Sequence, residues 1–246
     1  MLLKSLTRKI EKKYPLNLAE DWDNVGLIVG DFDMDVKKVL VSLEANEDVI
    51  DEAISKNIDL IVTHHPFIFG KINKINSGDL KGRLIQKLIK NDISLYSMHT
   101  NFDIAFDGLN DYFMEIMEFG NSKVLDKLDK SMTLESLSRK IKEKLNMKHI
   151  RVVGNLSTDI TKVAVVTGAG SEFVKKAKRQ GAEVLITGDV KYHEAQDALD
   201  IGMCIVDCGH FDTEDIFKNV MKRFLDEFSE IEVIKSNVYL NPFSTI

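Results

Sequence analysis

Two rhythms alternate along the chain. Short continuous apolar runs, IDLIV (58–62), ISLYSM (93–98), AEVLI (182–186) and MCIVDC (203–208), read as strands buried on both faces. Between them, apolar residues three and four apart mark amphipathic helices, and the opening MLLKSLTRKIEKKYPL has this second rhythm. It has no small-residue cleavage site after it, so a helix of the mature protein is expected there rather than a leader.

The pattern occurs twice. Residues 40–66, LVSLEANEDVIDEAISKNIDLIVTHHP, lie over residues 164–190, AVVTGAGSEFVKKAKRQGAEVLITGDV, at a fixed offset of 124. In each copy an apolar strand ends in a small-residue turn, an acid (Asp48; Glu172) opens a helix, and Asn57 or Gly181 closes it as a left-handed cap requires. A second strand then ends in threonine (Thr63; Thr187). A further helix (DLKGRLIQKLIKND; YHEAQDALDIG) leads to a third strand, followed by a histidine and, four residues on, an acid: His99 and Asp103, then His210 and Glu214. Thr63 to His99 is 36 residues and Thr187 to His210 is 23, so the first copy carries about 13 more, in or around KINKINSGDLKGR.

Strand, helix, strand, helix, strand with short connections describes parallel βαβ units. The expected fold is α/β: two similar domains from an internal duplication, each with a central, largely parallel or mixed sheet flanked by helices. The boundary is expected at residues 115–130, giving domains 1–122 and 123–246, and the last strand, EVIKSNVYLNP, can pair with either sheet.

Composition narrows the functional classes. A chain of 246 residues buries a sizeable core without disulfides or metal staples. Thirty-three basic against 39 acidic residues give a net charge of -6, with no basic block to track phosphates, which argues against a nucleic-acid module. Cys204 and Cys208 fit neither a disulfide framework nor a CxxC pair and read as buried thiols. No apolar run approaches the roughly 18 residues of a membrane span, so a reducing, cytoplasmic setting is expected.

The candidate chemistry sits at strand ends, where ligands gather in α/β sheets. His64, His65, His99 and His210 all fall there, with Asp103 and Glu214 within the next turn. Mixed imidazole and carboxylate donors suit zinc, iron, manganese or nickel better than calcium. Side chains alternate along extended backbone, so His64 and His65 are expected to face opposite ways and serve two neighbouring ions, with Pro66 holding the extended geometry. His210 and Glu214, four apart, share a helix face if a helix begins around them. A glutamate's two oxygens can bridge cations roughly 3.5 to 4 Å apart.

Other motifs carry less. His149 has no acid at ligand spacing, and His193 falls near the first copy's Phe69, beside the site rather than in it. GAGSEF (168–173) reads as a tight turn before a helix rather than a phosphate cradle, since the equivalent EANEDV lacks glycine and carries acids. WDNVGLIVGD (22–31) holds the only tryptophan. It is either a strand-initiating turn or a wall of a substrate pocket.

AEDWDNVGLIVGD, LIVTHHPFIF, SMHTNFD, LITGDVKYHEA and CGHFDTE, in this order and spanning nearly the whole chain, resemble the GTP cyclohydrolase 1 type 2 homologues, or Nif-three-like proteins, in their short form without an inserted domain. The resemblance implies a pair of divalent cations held by His64, His65, Asp103, His210 and Glu214, with Glu214 bridging and His99 nearby for proton transfer. It also implies a toroidal homohexamer. The function expected is a metal-dependent hydrolase acting on a small, nucleotide-like substrate, with His99 and Glu214 catalytic. A non-catalytic metal-binding or regulatory scaffold is the alternative.

Overall fold

In the computed structural model, which describes residues 1–119 and 125–244, the chain forms two five-stranded sheets, each with helices packed on it. The first half runs α1 (Leu3–Lys13), β1 (Gly26–Val29), β2 (Lys38–Ser42), α2 (Glu47–Ser55), β3 (Leu60–Thr63), α3 (Leu80–Lys90), β4 (Ser94–Ser97) and α4 (Thr100–Ile104). The second runs α5 (Leu109–Met117), β5 (Leu125–Thr133), α6 (Leu134–Lys144), β6 (Arg151–Val153), β7 (Asp159–Val165), α7 (Val174–Arg179), β8 (Val184–Thr187), α8 (Tyr192–Asp200), β9 (Cys204–Asp207) and α9 (His210–Glu214). The chain ends with α10 (Phe217–Leu225) and β10 (Glu232–Lys235).

The first sheet is ordered β1-β4-β3-β2-β10, parallel except for β1. The second is ordered β5-β7-β8-β9-β6, with β5 and β6 antiparallel at its edges. The last strand therefore pairs with the first sheet, beside β2. The two compact units are Met1–Gly108 with Phe217–Ile246, and Leu109–Ile216. The expected cut at 122/123 falls within 120–124, outside the described residues.

The duplication is visible in the register. Val39 faces Leu60 in the first sheet, and Val163 faces Val184 in the second, both pairs related by the same offset of 124. Strands β3, β4, β8 and β9 are buried at every residue, as continuous apolar runs require. Each fully buried aliphatic side chain there contributes about 1.5–3 kcal/mol. Both central helices end at a left-handed residue, Asn57 (φ 53°) and Gly181 (φ 86°).

Their starts differ. Asn46 caps α2 by accepting from the Val49 amide at 2.9 Å. Gly170 takes that position in the second copy and has no side chain to cap with, so Glu172 lies in a 3-10 turn (Ser171–Phe173) and α7 begins only at Val174. A Cβ at Gly170 would come within 2.4 Å of Val166 and 2.7 Å of the Thr187 hydroxyl, which accepts from the Gly170 amide instead. The helix expected around His210 is likewise interrupted, α9 and α10 being separated by Asp215–Ile216. Among the described residues no helix is long and apolar enough to cross a membrane.

Candidate metal centre

In the first unit the ligand-bearing side chains converge where β3 and β4 end. Thr63 closes β3; its hydroxyl bonds the Ser97 hydroxyl and donates to the His65 carbonyl, both at 3.0 Å. The amides of His64 and His65 then both donate to the same acceptor, the Leu43 carbonyl, at 3.1 and 2.9 Å. Two consecutive amides aimed at one oxygen end the alternation of a strand. The two histidines consequently do not face opposite ways: their ring centroids are 5.4 Å apart, and one ring nitrogen from each of His64, His65 and His99 lies within 4.8 Å of the others.

Each ring has a distinct anchor. His64 is fully buried, against Phe102 and Phe217, and its Nδ1 lies 2.8 Å from the Met98 carbonyl. A carbonyl only accepts, so Nδ1 carries a proton; Nε2 sits 3.6 Å from Asp103 Oδ1. His65 Nδ1 lies 3.9 Å from Glu44. His99 Nδ1 lies 3.0 Å from Asp23 Oδ1, while the other Asp23 oxygen accepts from the Thr100 amide and hydroxyl at 3.0 and 2.5 Å. Burial by itself would raise the Asp23 pKa; the hydrogen bonds from His99 and Thr100 and the charge on His99 outweigh it and hold the carboxyl at about 2.

In the second unit Gly209, at φ 70°, turns the chain out of β9 into α9. His210 opens that helix and Glu214 follows one turn later. His210 Nδ1 donates to Asp189 Oδ2 at 2.8 Å, and its Nε2 lies 2.9 Å from Glu214 Oε2. Two lone pairs at that distance repel unless a proton or a cation lies between them. Glu214 is buried, and Gly168 makes room for it: a Cβ there would stand 2.1 Å from Oε1 and 3.4 Å from His210 Nε2. The Gly168 amide donates to the Thr213 hydroxyl, which donates in turn to the Gly209 and His210 carbonyls. Of the two glycines of GAGSEF, Gly168 is thus accounted for by close packing against the Glu214 carboxylate and Gly170 by its contact with Val166 and Thr187.

Sequence comparison settles the relationship. The Duf34/NIF3 (NGG1p interacting factor 3) family model matches residues 1–242. The chain belongs to this family. A Clostridium perfringens relative described as a GTP cyclohydrolase 1 type 2 homolog is 39% identical, over the full length of both chains. Among solved structures, a Staphylococcus aureus hypothetical protein superposes with a TM-score of 0.93 at 30% identity, and a Bacillus cereus protein related to NIF3 with 0.93 at 25%; each match covers 100% of this chain and 99% of the other.

The two halves of this NIF3 chain do not carry the same arrangement of side chains. Pairing His99 with His210 and Asp103 with Glu214 is one residue out of register. Thr63 faces Ser97 and Thr187 faces Asp207, so the first copy carries 14 additional residues, and the Met98 and Cys208 amides donate alike to those threonines' carbonyls. His99 therefore corresponds to Gly209, and His210 to Thr100. His99 stands just before α4, whereas His210 is the first residue of α9, so the two imidazoles leave the repeat at different positions. On the offset of 124, Gly188 stands where His64 does and Asp189 where His65 does. A Cβ at Gly188 would lie 2.5 Å from the Gly209 backbone, so no side chain fits there.

Asp23 and Asp189, which orient His99 and His210, were not among the expected site residues. The first had no spacing signal, and the second was visible only as His65's counterpart in the repeat. His193 is exposed on α8 beside Tyr192, and His149 is exposed between α6 and β6. Cys204 and Cys208 are buried free thiols, and burial pushes the Cys208 thiol up.

Proposed function

We propose that this NIF3-family chain is a metal-dependent hydrolase acting on a nucleotide-like substrate, with His64, His65, Asp103, His210 and Glu214 as the ligands of two divalent cations. The observation that carries the reading is the His210–Glu214 pair: an imidazole nitrogen and a carboxylate oxygen 2.9 Å apart, with a glycine required so that the carboxylate fits. The four imidazole or carboxylate donors in the first unit and the two in the second suit first-row transition metals. Two cations, when bound, supply the charge that lowers the pKa of a water toward neutrality and polarises the bond under attack.

The chain's own residues do the rest. Asp23 fixes the His99 ring through Nδ1 and leaves Nε2 to accept or donate a proton. The aromatic floor of Phe102 and Phe217 keeps water from one side of His64 and holds its ring in one orientation. Assembly as a toroidal homohexamer is part of this reading, on the family resemblance, as is a reducing cytoplasmic setting, which suits two buried thiols.

The test is elemental analysis of protein purified without chelator, together with GTP hydrolysis. The expected result is about two equivalents of metal per chain, with loss of both metal and turnover in Glu214→Gln. Full occupancy with full activity in that variant would remove the mechanism. His99→Gln is expected to keep its metal and lose turnover. Loss of metal instead would move His99 into the ligand set, a second reading favoured by its ring nitrogen lying within 4.8 Å of those of His64 and His65.

A further inference from the structure

Beside His99, two large aromatic side chains stand open to solvent. Trp22 is 59% exposed and Phe69 64% exposed, yet the rings keep each other's company, with centroids 5.8 Å apart and planes 31° from parallel. His99 meets both edge-on, at 5.9 and 6.1 Å. The three rings form a continuous aromatic corner, one wall of which is the imidazole assigned to proton transfer.

The backbone that carries this corner is fixed, although the rings are not covered. The Asp23 carboxylate ties the residue after Trp22 to His99 and Thr100. The Glu20 amide donates to the Thr100 hydroxyl at 3.0 Å, and the Asn24 side chain donates to the Ile68 carbonyl, next to Phe69, at 2.8 Å. Lys81 Nζ donates to the Phe67 carbonyl on the other side of that loop. Gly70 follows Phe69 at φ +84° with nothing within 4 Å of its Cβ direction, so the approach beside the ring is open. Two rings held in place and left uncovered forgo the burial that such side chains normally obtain.

We propose that Trp22 and Phe69 are the stacking platform for a planar heteroaromatic base, and so the residues that select a nucleobase-bearing ligand. The inference rests on the nucleotide-like substrate class proposed above and assigns its base to this corner. Base–aromatic stacking needs no base-specific hydrogen bond, because every base has a π-face, so the platform discriminates base from no base more than one base from another.

Trp22 is the only tryptophan in the chain, so its emission reports this corner alone. The probes are guanosine 5′-monophosphate and ribose 5-phosphate, titrated into metal-loaded and into chelator-treated protein. Saturable change of Trp22 emission by the nucleotide, with ribose 5-phosphate weaker by roughly tenfold or more, is the expected result. Phe69→Ala should weaken nucleotide binding by a similar factor, and Phe69→Tyr should restore it. Equal response to both probes, no response in either protein, or a Phe69→Ala variant that binds as the parent does would each overturn the platform. Trp22 emission that shifts with protein concentration alone would overturn it too, since a second copy of the chain would then cover the rings. Nucleotide binding by a parent protein that takes up no metal and turns over no GTP would leave the platform standing while the hydrolase reading fell.

Discussion

Replacing Gly168 with alanine tests whether the second unit's pocket is shaped for a ligating carboxylate. Gly168 has φ +65°, a conformation that costs an L-residue roughly 1–2 kcal/mol. The new Cβ would start 2.1 Å from Glu214 Oε1 and 3.0 Å from Cδ, and an ordinary contact of about 3.4 Å requires the carboxylate to retreat by about 1.3 Å. That retreat breaks the 2.9 Å approach to His210 Nε2. The expected outcome is a loss of about 1–3 kcal/mol in urea unfolding of chelator-treated protein, together with metal affinity lower by about 10–100-fold in calorimetric titration. Gly202→Ala is the control. Gly202 has φ +67°, and its Cβ would meet only the Lys178 ammonium at 3.8 Å, so it carries the same backbone cost without touching the site. Equal metal affinity in the two variants would refute the reasoning, because backbone strain would then be the whole effect.

Asp23→Asn should lower stability by about 2 kcal/mol at neutral pH, from a carboxyl held at about 2 against an ordinary 3.8. The folded pKa is the lower one, so this contribution is full above about pH 4 and disappears as pH falls through 2; urea unfolding of chelator-treated protein should show the two curves converging over that window, and a gap that does not narrow would exclude the charge as its source. Gly188→Ala should fail differently from Gly168→Ala: its Cβ would meet backbone rather than the far end of a side chain, so a loss of about 3 kcal/mol or more is expected in thermal unfolding, and a near-native melting temperature would show that the Gly209 turn can move.

The sequence alone determined what depends on local pattern. Continuous apolar runs marked the buried strands, Asn57 and Gly181 marked the ends of the two central helices, and the offset of 124 relates the register of β2 on β3 to that of β7 on β8. It also put His64, His65, His99 and His210 at strand ends, because a strand's end is written in the residues beside it.

Tertiary structure decided what depends on partners distant in the chain. β10 joins β2 across nearly the whole sequence, and Asp23 reaches His99 over 76 residues. His64 and His65 turn the same way because both amides seek the Leu43 carbonyl, an acceptor that no property of the HHP motif reveals. The one-residue slip between His99 and His210 is set by which residue faces Thr63 or Thr187 across the ladder, and spacing along the chain cannot count that when an insertion intervenes. Periodicity records which face a residue presents. Only folding fixes what that face meets.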